Sequence, residues 1–194
     1  MTSRVHSGRI RRELRFSRSV VSQNLESIGL DLSQIKPLLE ALTEADGLLD
    51  LQGRELLLLE QALGIRSGRS AVQLVGDLVL VKDVPADTPI SYGYLARTRN
   101  QTNLGLVALG FSDGLPRNLS NQIQLEISGR HYPALGRIAM DQCVVDLGTD
   151  KPSIGSEVQF FNEVNPLAKL SELSGFTELE ILGRIAARVT RTWF

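Results

Sequence analysis

From residue 71 onward, apolar residues recur with a period of two between frequent glycines, the pattern of short β-strands joined by turns. The clearest case is Ile123, Leu125 and Ile127, which alternate with polar residues and predict a half-buried strand. Further strand candidates run over 73–81, 104–109, 143–147, 157–161 and 185–193. Several short strands separated by turn residues are typical of a β-barrel or β-sandwich. We therefore expect a mainly β domain over residues 71–194.

Residues 19–66 have a helical pattern instead. Val21, Leu25 and Ile28 recur at helical spacing and predict one helix, and two further short stripes of leucines follow. The run from Leu56 to Leu59 is apolar on every helix face, so we expect it to be buried. The N-terminal part of the chain is therefore predicted to be a short helical segment.

Residues 1–18 form a basic segment with six arginines and a single acid, Glu13. This composition predicts a basic arm, either flexible or paired with the acids of the helical segment. Nucleic-acid binding by the arm is a weaker alternative, because the formal net charge of the whole chain is only −1.

Simple counts exclude several classes of protein. A single cysteine, Cys143, rules out an internal disulfide, and the two histidines, His6 and His131, rule out a histidine-rich metal site. No apolar run reaches the roughly 18 residues of a membrane span, and residues 1–18 lack the apolar core of a secretory signal. We expect a cytoplasmic protein with no metal, no membrane anchor and no nucleic-acid partner. Cys143 is predicted to be buried and His131 to be exposed on a strand.

Four blocks of the β domain resemble the C-terminal domain of alanine racemases. They are Ile-Ser-Tyr-Gly at 90–93, Gly-Phe-Ser-Asp-Gly-Leu-Pro-Arg at 110–117, Gly-Arg-Ile-Ala-Met-Asp-Gln at 136–142 and Arg-Val-Thr-Arg at 188–191. The intervals between the blocks agree with the family as well. Each block is weak alone, but four in register over some two thirds of the chain are specific. The resemblance does not extend into the first 65 residues.

The resemblance implies an enzyme part that serves L-/D-alanine interconversion with pyridoxal phosphate. In this family a (β/α)8 barrel holds the cofactor on a lysine, and the β-domain of one subunit reaches into the other subunit's active site in a head-to-tail homodimer. Racemisation removes a proton from one face of Cα and returns one to the other, so two groups must flank the substrate. The lysine serves one face, and the tyrosine of the Ser-Tyr-Gly block, here Tyr92, serves the other. A phenol, with an ordinary pKa near 10, needs nearby positive charge for that role.

Four other positions carry over from the family singly. Met140 matches a residue whose backbone N–H contacts the substrate carboxylate, and Asp141 is its neighbour. Arg117 and Arg137 match arginines that line the active-site entrance, where positive charge attracts a carboxylate. A plainer alternative stays open for each: Tyr92 as a residue packed at a turn, Met140 and Asp141 as determinants of loop shape, and the two arginines as members of surface ion pairs.

The chain also departs from the family pattern. Phe111 stands where the family has an entrance tyrosine, and Leu179 stands where a tyrosine donates a hydrogen bond to the cofactor phosphate. Some 70 residues outside the β domain cannot form a barrel that needs about 200. None of the four lysines, which are Lys36, Lys82, Lys151 and Lys169, lies in anything like the family's lysine motif. The resemblance therefore implies that the chain alone binds no pyridoxal phosphate and is not a complete racemase.

Two functions follow from this combination. The first is the β-domain half of a split racemase, which inserts Tyr92 into a barrel on another polypeptide and is inactive alone. The second is a non-catalytic module that homodimerises or binds a racemase, with the helical segment covering the surface that the barrel would bury. The expected partners are accordingly a second copy of the chain or a protein that carries the pyridoxal phosphate barrel.

Overall fold

The structure is a computed structural model that describes residues 10–41, 53–65, 70–161 and 165–194. Its ten strands in the described ranges are β1 Arg12–Phe16, β2 Val72–Val84, β3 Pro89–Ile90, β4 Ala96–Arg97, β5 Thr102–Val107, β6 Gln124–Ile127, β7 Arg130–Leu135, β8 Cys143–Gly148, β9 Glu157–Gln159 and β10 Thr190–Trp193. The same ranges contain five α-helices, which are α1 Arg18–Glu26, α2 Lys36–Ala41, α3 Arg54–Ala62, α4 Leu167–Ser174 and α5 Glu178–Gly183. Short 3-10 turns cover Leu32–Ile35, Tyr92–Tyr94, Phe111–Asp113 and Arg117–Leu119.

Six strands close into a barrel. Neighbours pair in the order β2, β5, β8, β7, β6 and β9, and β9 pairs again with β2. Closure depends on the length of β2, whose 13 residues extend about 40 Å and reach several partners. Its register shifts between Leu78 and Leu80, where a bulge bends the strand. The prediction of a mainly β fold with a helical N-terminal segment is confirmed.

Strand β1 lies inside the segment that was expected to be a basic arm. It is antiparallel to β2, with Leu14 opposite Leu74, and parallel to β10, with Phe16 opposite Trp193. Leu14 and Phe16 are buried, so this strand has the alternating pattern that its arginines obscure. Part of the expected arm thus belongs to the sheet, and residues 1–9 lie outside the described residues.

The N-terminal helices share one apolar core with the barrel. Val21 and Leu25 of α1 and Leu59 of α3 are buried in the same cluster as the strand residues. The expectation that the whole run from Leu56 to Leu59 is buried is wrong, since Leu57 is 51% exposed. Helix α3 packs on α1 through one face only, and Leu57 lies on the other side. Within the described residues, no helix is long and apolar enough to cross a bilayer.

Helices α4 and α5 complete the C-terminal part of the core. Helix α4 buries Leu167 and Leu170, and Gly175 ends it in the left-handed conformation (φ 75°) that favours glycine. Helix α5 was not expected. It begins with a capping box in which the Thr177 side chain accepts from the Glu180 N–H, while the Glu180 carboxylate accepts from the Thr177 N–H.

Candidate functional site

Tyr92 lies on a short turn between β3 and β4. Ser91 (φ 55°) and Gly93 (φ 72°) on either side of it both have left-handed backbone. This geometry directs the side chains of Tyr92 and Tyr94 outward, and each is 68% exposed. Among the described residues, nothing forms a hydrogen bond with the Tyr92 hydroxyl. The Tyr92 side chain therefore lies on a turn, as the plainer interpretation has it, but it is exposed and not packed against the described part of the chain.

The turn is fixed by contacts with the segment that follows β7. The Ser91 hydroxyl donates to the Arg137 carbonyl across 2.7 Å. Gly136 packs directly beneath the turn, where a Cβ would lie 2.8 Å from Cγ2 of Ile90. The Gly136 N–H in turn donates to Oδ1 of Asn121 across 2.6 Å. The Tyr92 side chain is thus exposed, while the backbone of its turn is anchored.

Tyr92 and Arg137 share an open cavity of about 500 Å³. The Arg137 guanidinium lies beside the turn, since a Cβ at Gly93 would be 3.5 Å from its Cζ. Cys143 forms part of the cavity floor. The remaining lining residues are Ser91, Gly93, Tyr94, Leu106, Ala139, Gln142 and Val144. The cavity therefore combines two exposed phenols and one cation on a mostly apolar floor.

Met140 and Asp141 lie on a loop that Gly110 holds in place. The Ala139 and Met140 carbonyls accept from the N–H groups of Phe111 (2.9 Å) and Ser112 (2.8 Å). A Cβ at Gly110 would come within 2.3 Å of the Met140 carbonyl oxygen, so only glycine fits there. Met140 itself is 56% exposed. Among the described residues, nothing accepts a hydrogen bond from the Met140 N–H.

A buried carboxylate connects this loop to the C-terminus. Asp113 is fully buried, and its Oδ2 accepts from the Gly110 N–H across 2.8 Å. Its Oδ1 accepts from Nε of Arg188 across 2.7 Å and lies 3.4 Å from Nε of Arg12. Arg188 also contacts Asp141, with 2.7 Å between Nη2 and Oδ1. The hydrogen bond that Arg188 donates to Asp113 raises the pKa of Arg188, and its hydrogen bond to Asp141 adds to the effect.

Arg117 and Phe111 contact each other outside the Tyr92 cavity. The Arg117 guanidinium lies 5.4 Å from the centroid of the Phe111 ring, in cation–π geometry. Neither residue is among those that line the cavity. Of the two predicted entrance arginines, the structure thus brings only Arg137 to Tyr92. The prediction that both are entrance residues is not tested by a single chain.

Leu179 lies on α5, where it is half-buried and packs against the apolar core. It does not line the Tyr92 cavity. Cys143 is buried, as predicted, and burial raises the pKa of its thiol to about 12. His131 is exposed on β7, also as predicted, with its Nε2 3.6 Å from Glu126.

The residues around Tyr92 do not fit a pyridoxal phosphate anchored within this chain. The cofactor needs a lysine amine, and none of the cavity residues is a lysine. All four lysines, Lys36, Lys82, Lys151 and Lys169, are exposed on other parts of the surface. Within the described ranges there is also no group of three side chains that could hold a metal ion. The cavity can present a phenol and a cation but not the amine.

The family model described as alanine racemase, C-terminal domain, matches residues 71–193. This chain belongs to the alanine racemase C-terminal domain family. The match includes Tyr92, Phe111, Arg117, Arg137, Met140, Asp141 and Leu179.

Relatives and solved structures agree with this assignment. The alanine racemase of Streptomyces coelicolor is 40% identical over 129 residues, which are 64% of this chain and 33% of the relative. Its solved structure has a TM-score of 0.62 and covers 70% of this chain. The alanine racemase of the D-cycloserine producer Streptomyces lavendulae has the same TM-score at 37% identity, over 70% of this chain and 37% of that one. The Bartonella henselae racemase, solved with covalently bound pyridoxal phosphate, is 28% identical with a TM-score of 0.61, over 65% of this chain and 36% of that one.

The chain spans about one third of the length of these relatives. What it shares with them is the C-terminal domain, which the family model matches over residues 71–193.

Several site residues escaped the sequence analysis. Tyr94 is as exposed as Tyr92 and lines the same cavity, although only the first tyrosine belongs to the recognised block. Asp113 and Arg188 lie inside two of the blocks, yet nothing local shows that they pair across 75 positions. The available signal was the position of Asp113 in a run of glycines and apolar residues, which indicates a buried carboxylate. Such a carboxylate requires a cation or several hydrogen-bond donors nearby.

Proposed function

We propose that this domain supplies the tyrosine side of L-/D-alanine interconversion in trans to a separate barrel that carries the lysine and pyridoxal phosphate. The chain alone is inactive in this proposal. The observation that carries it is the Tyr92 phenol, which is exposed on an anchored turn with a guanidinium beside it.

Three features of the chain would act on the substrate. Tyr92 would exchange a proton with one face of Cα, while the partner's cofactor acidifies that Cα–H bond and its lysine serves the other face. Arg137 would provide the positive charge that a phenol needs to act near neutral pH. The Met140 N–H would donate to the substrate carboxylate, and the Asp113–Arg188–Asp141 network would hold its loop. The partner is a homologous chain with the barrel, in a heteromer that reproduces the family's head-to-tail dimer.

The test is a mixing experiment. A Streptomyces coelicolor racemase truncated before its C-terminal domain is first checked for bound pyridoxal phosphate by its visible absorbance. It is then mixed with this chain, and D-alanine formation from L-alanine is followed. We expect activity in the mixture and none in either component alone. Activity of this chain alone, or a mixture no more active than the truncated racemase, contradicts the proposal.

A non-catalytic binding or dimerisation module is the second candidate. Two observations favour it. Phe111 and Leu179 lack the hydroxyls that the family uses, and helices α1 and α3 share a core with the barrel strands. In this case the chain would bind a racemase or a second copy through the exposed side chains of Tyr92, Tyr94, Leu95 and Met140. A stable complex with a racemase that forms without any gain in D-alanine production supports this function over the first.

A further inference from the structure

A second cavity, of about 310 Å³, lies between the N-terminal helical segment and strand β10. Its walls come from Arg18, Leu32, Lys36, Leu39 and Trp193, with Ser33 and Glu40 completing them. Among the described residues, it shares no lining residue with the Tyr92 cavity. Its described lining residues other than Trp193 precede the range 71–193 that matches the family. The cavity is therefore built mainly by the part of the chain that the racemase resemblance does not explain.

The inner wall of this cavity is apolar. Trp193 packs on the ring of Phe16, with 5.2 Å between the ring centroids. Leu32 and Leu39 are half-buried and pack against the same core. Such a surface favours a ligand with an apolar body, and the volume is at the lower end of the range for small-molecule cavities.

The rim of the cavity carries two cations. The Arg18 guanidinium lies 5.5 Å from the centroid of the Trp193 ring, in cation–π geometry. No carboxylate within the described ranges comes within ion-pair distance of it. When a guanidinium stacks on an aromatic ring, the N–H groups at its edge can still donate hydrogen bonds in the guanidinium plane. A carboxylate can accept two such bonds side by side.

Lys36 and Glu40 occupy the outer part of the rim. The Lys36 ammonium is 3.8 Å from the Glu40 carboxylate, and the two side chains are 74% and 66% exposed. An ion pair this exposed is weak and does not neutralise the site. The described lining thus has two cations and one acid above an apolar wall.

We propose that this cavity binds a small organic carboxylate with an apolar body. The carboxylate would accept in-plane hydrogen bonds from Arg18 and lie near Lys36, while the apolar part would contact Trp193, Leu32 and Leu39. Inorganic anions would use only the rim, and neutral apolar molecules only the wall. The site is independent of Tyr92 and of any racemase partner.

Trp193 makes the proposal directly measurable because it is the only tryptophan of the chain. The intact protein is titrated with hexanoate at constant ionic strength while tryptophan fluorescence is recorded. Two further titrations serve as comparisons: 1-hexanol has the apolar body without the charge, and chloride has the charge without the apolar body. We expect a saturable change in fluorescence with hexanoate. Hexanol should bind about 10-fold more weakly, because it loses one charge-assisted hydrogen bond. No saturable change with hexanoate, or equal affinity for the alcohol, overturns the proposal.

Matched variants assign the effect to the rim. Arg18→Gln should weaken hexanoate binding about 10-fold and leave hexanol binding unchanged. Lys82→Gln removes an exposed lysine on β2 outside the cavity and should change neither. Circular dichroism verifies that the variants are folded, and ligand-observed NMR provides a second readout of binding. Undiminished hexanoate binding by folded Arg18→Gln contradicts the proposal, whatever the result for Lys82→Gln.

Discussion

Arg188 donates from Nε to the fully buried carboxylate of Asp113 across 2.7 Å. The same guanidinium reaches Asp141, next to Met140, so the C-terminal block of the chain holds the loop on which a substrate contact is expected. Asp113 also accepts from the Gly110 N–H and lies beside Arg12 of β1. Three of the segments around the site are therefore tied to one buried charge.

Removing Arg188 should destabilise the fold. In Arg188→Met the buried Asp113 carboxylate keeps only Arg12 and the Gly110 N–H, and we expect the free energy of unfolding to fall by about 2 kcal/mol. Urea denaturation of the variant and the wild type measures this loss. The matched control is Arg130→Met, which breaks the more exposed ion pair with Asp150 and should have a clearly smaller effect. Equal losses of free energy of unfolding in the two variants would show that the buried ion pair of Asp113 stabilises the fold no more than the exposed one.

Gly110 should not tolerate a side chain. Gly110→Ala would drive a Cβ into the Met140 and Ala139 carbonyl oxygens, and we expect a loss of about 3 kcal/mol or displacement of the loop. Gly129→Ala is the control, because that turn glycine has open space around it and only its left-handed φ of 76° to strain, which costs about 1 kcal/mol. Thermal unfolding of both variants separates steric from backbone effects. A Gly110→Ala protein as stable as Gly129→Ala contradicts the close approach.

Asp150 should make stability depend on pH in the acid range. Hydrogen bonds from Tyr132 and then Arg130 lower the pKa of Asp150 below its ordinary 3.8. A carboxylate with a lowered folded-state pKa stabilises the fold above its ordinary pKa, and the contribution is lost as pH falls through the lowered value. Tyr132→Phe removes the first donor, so its Tm deficit relative to wild type should be constant near neutral pH and should shrink below about pH 4. A deficit that is the same at all pH values excludes this linkage.

Cys143 should be inert in the folded protein. Burial raises the pKa of its thiol to about 12, so almost no thiolate forms at pH 8. A thiol reagent such as DTNB should therefore react only after unfolding in guanidinium. Fast reaction of the native protein would show that the floor of the Tyr92 cavity opens.

The barrel was predictable from sequence because its signals are local. Alternation along Ile123, Leu125 and Ile127 indicated a strand, and the structure pairs part of that run, β6, in the barrel. The racemase blocks then fixed the identity of the domain and the position of Tyr92. The closure between β2 and β9 could not be predicted, since it pairs Val75 with Gln159 and has no signal in either segment alone.

Two elements were missed although signals were present. Strand β1 has buried Leu14 and Phe16 at alternate positions, but the arginines between and around them were interpreted as a solvated arm. Those arginines are neutralised by contacts distant in sequence, such as Arg11 and Arg15 with Glu157. Helix α5 is marked by the capping box of Thr177 and Glu180, a pattern that short helices depend on.

The measurement that tests the central proposal most directly compares two tyrosines of equal exposure. Tyr92→Phe and Tyr94→Phe each remove one hydroxyl from the same turn and the same cavity. Each variant is mixed with the truncated racemase that carries pyridoxal phosphate, and binding and D-alanine formation are recorded. We expect both variants to bind the partner, Tyr94→Phe to support nearly full activity, and Tyr92→Phe to lose at least about 100-fold, the scale of one proton-transfer group. Equal activity of the two variants would contradict the assignment of Tyr92 as the phenol that exchanges the proton.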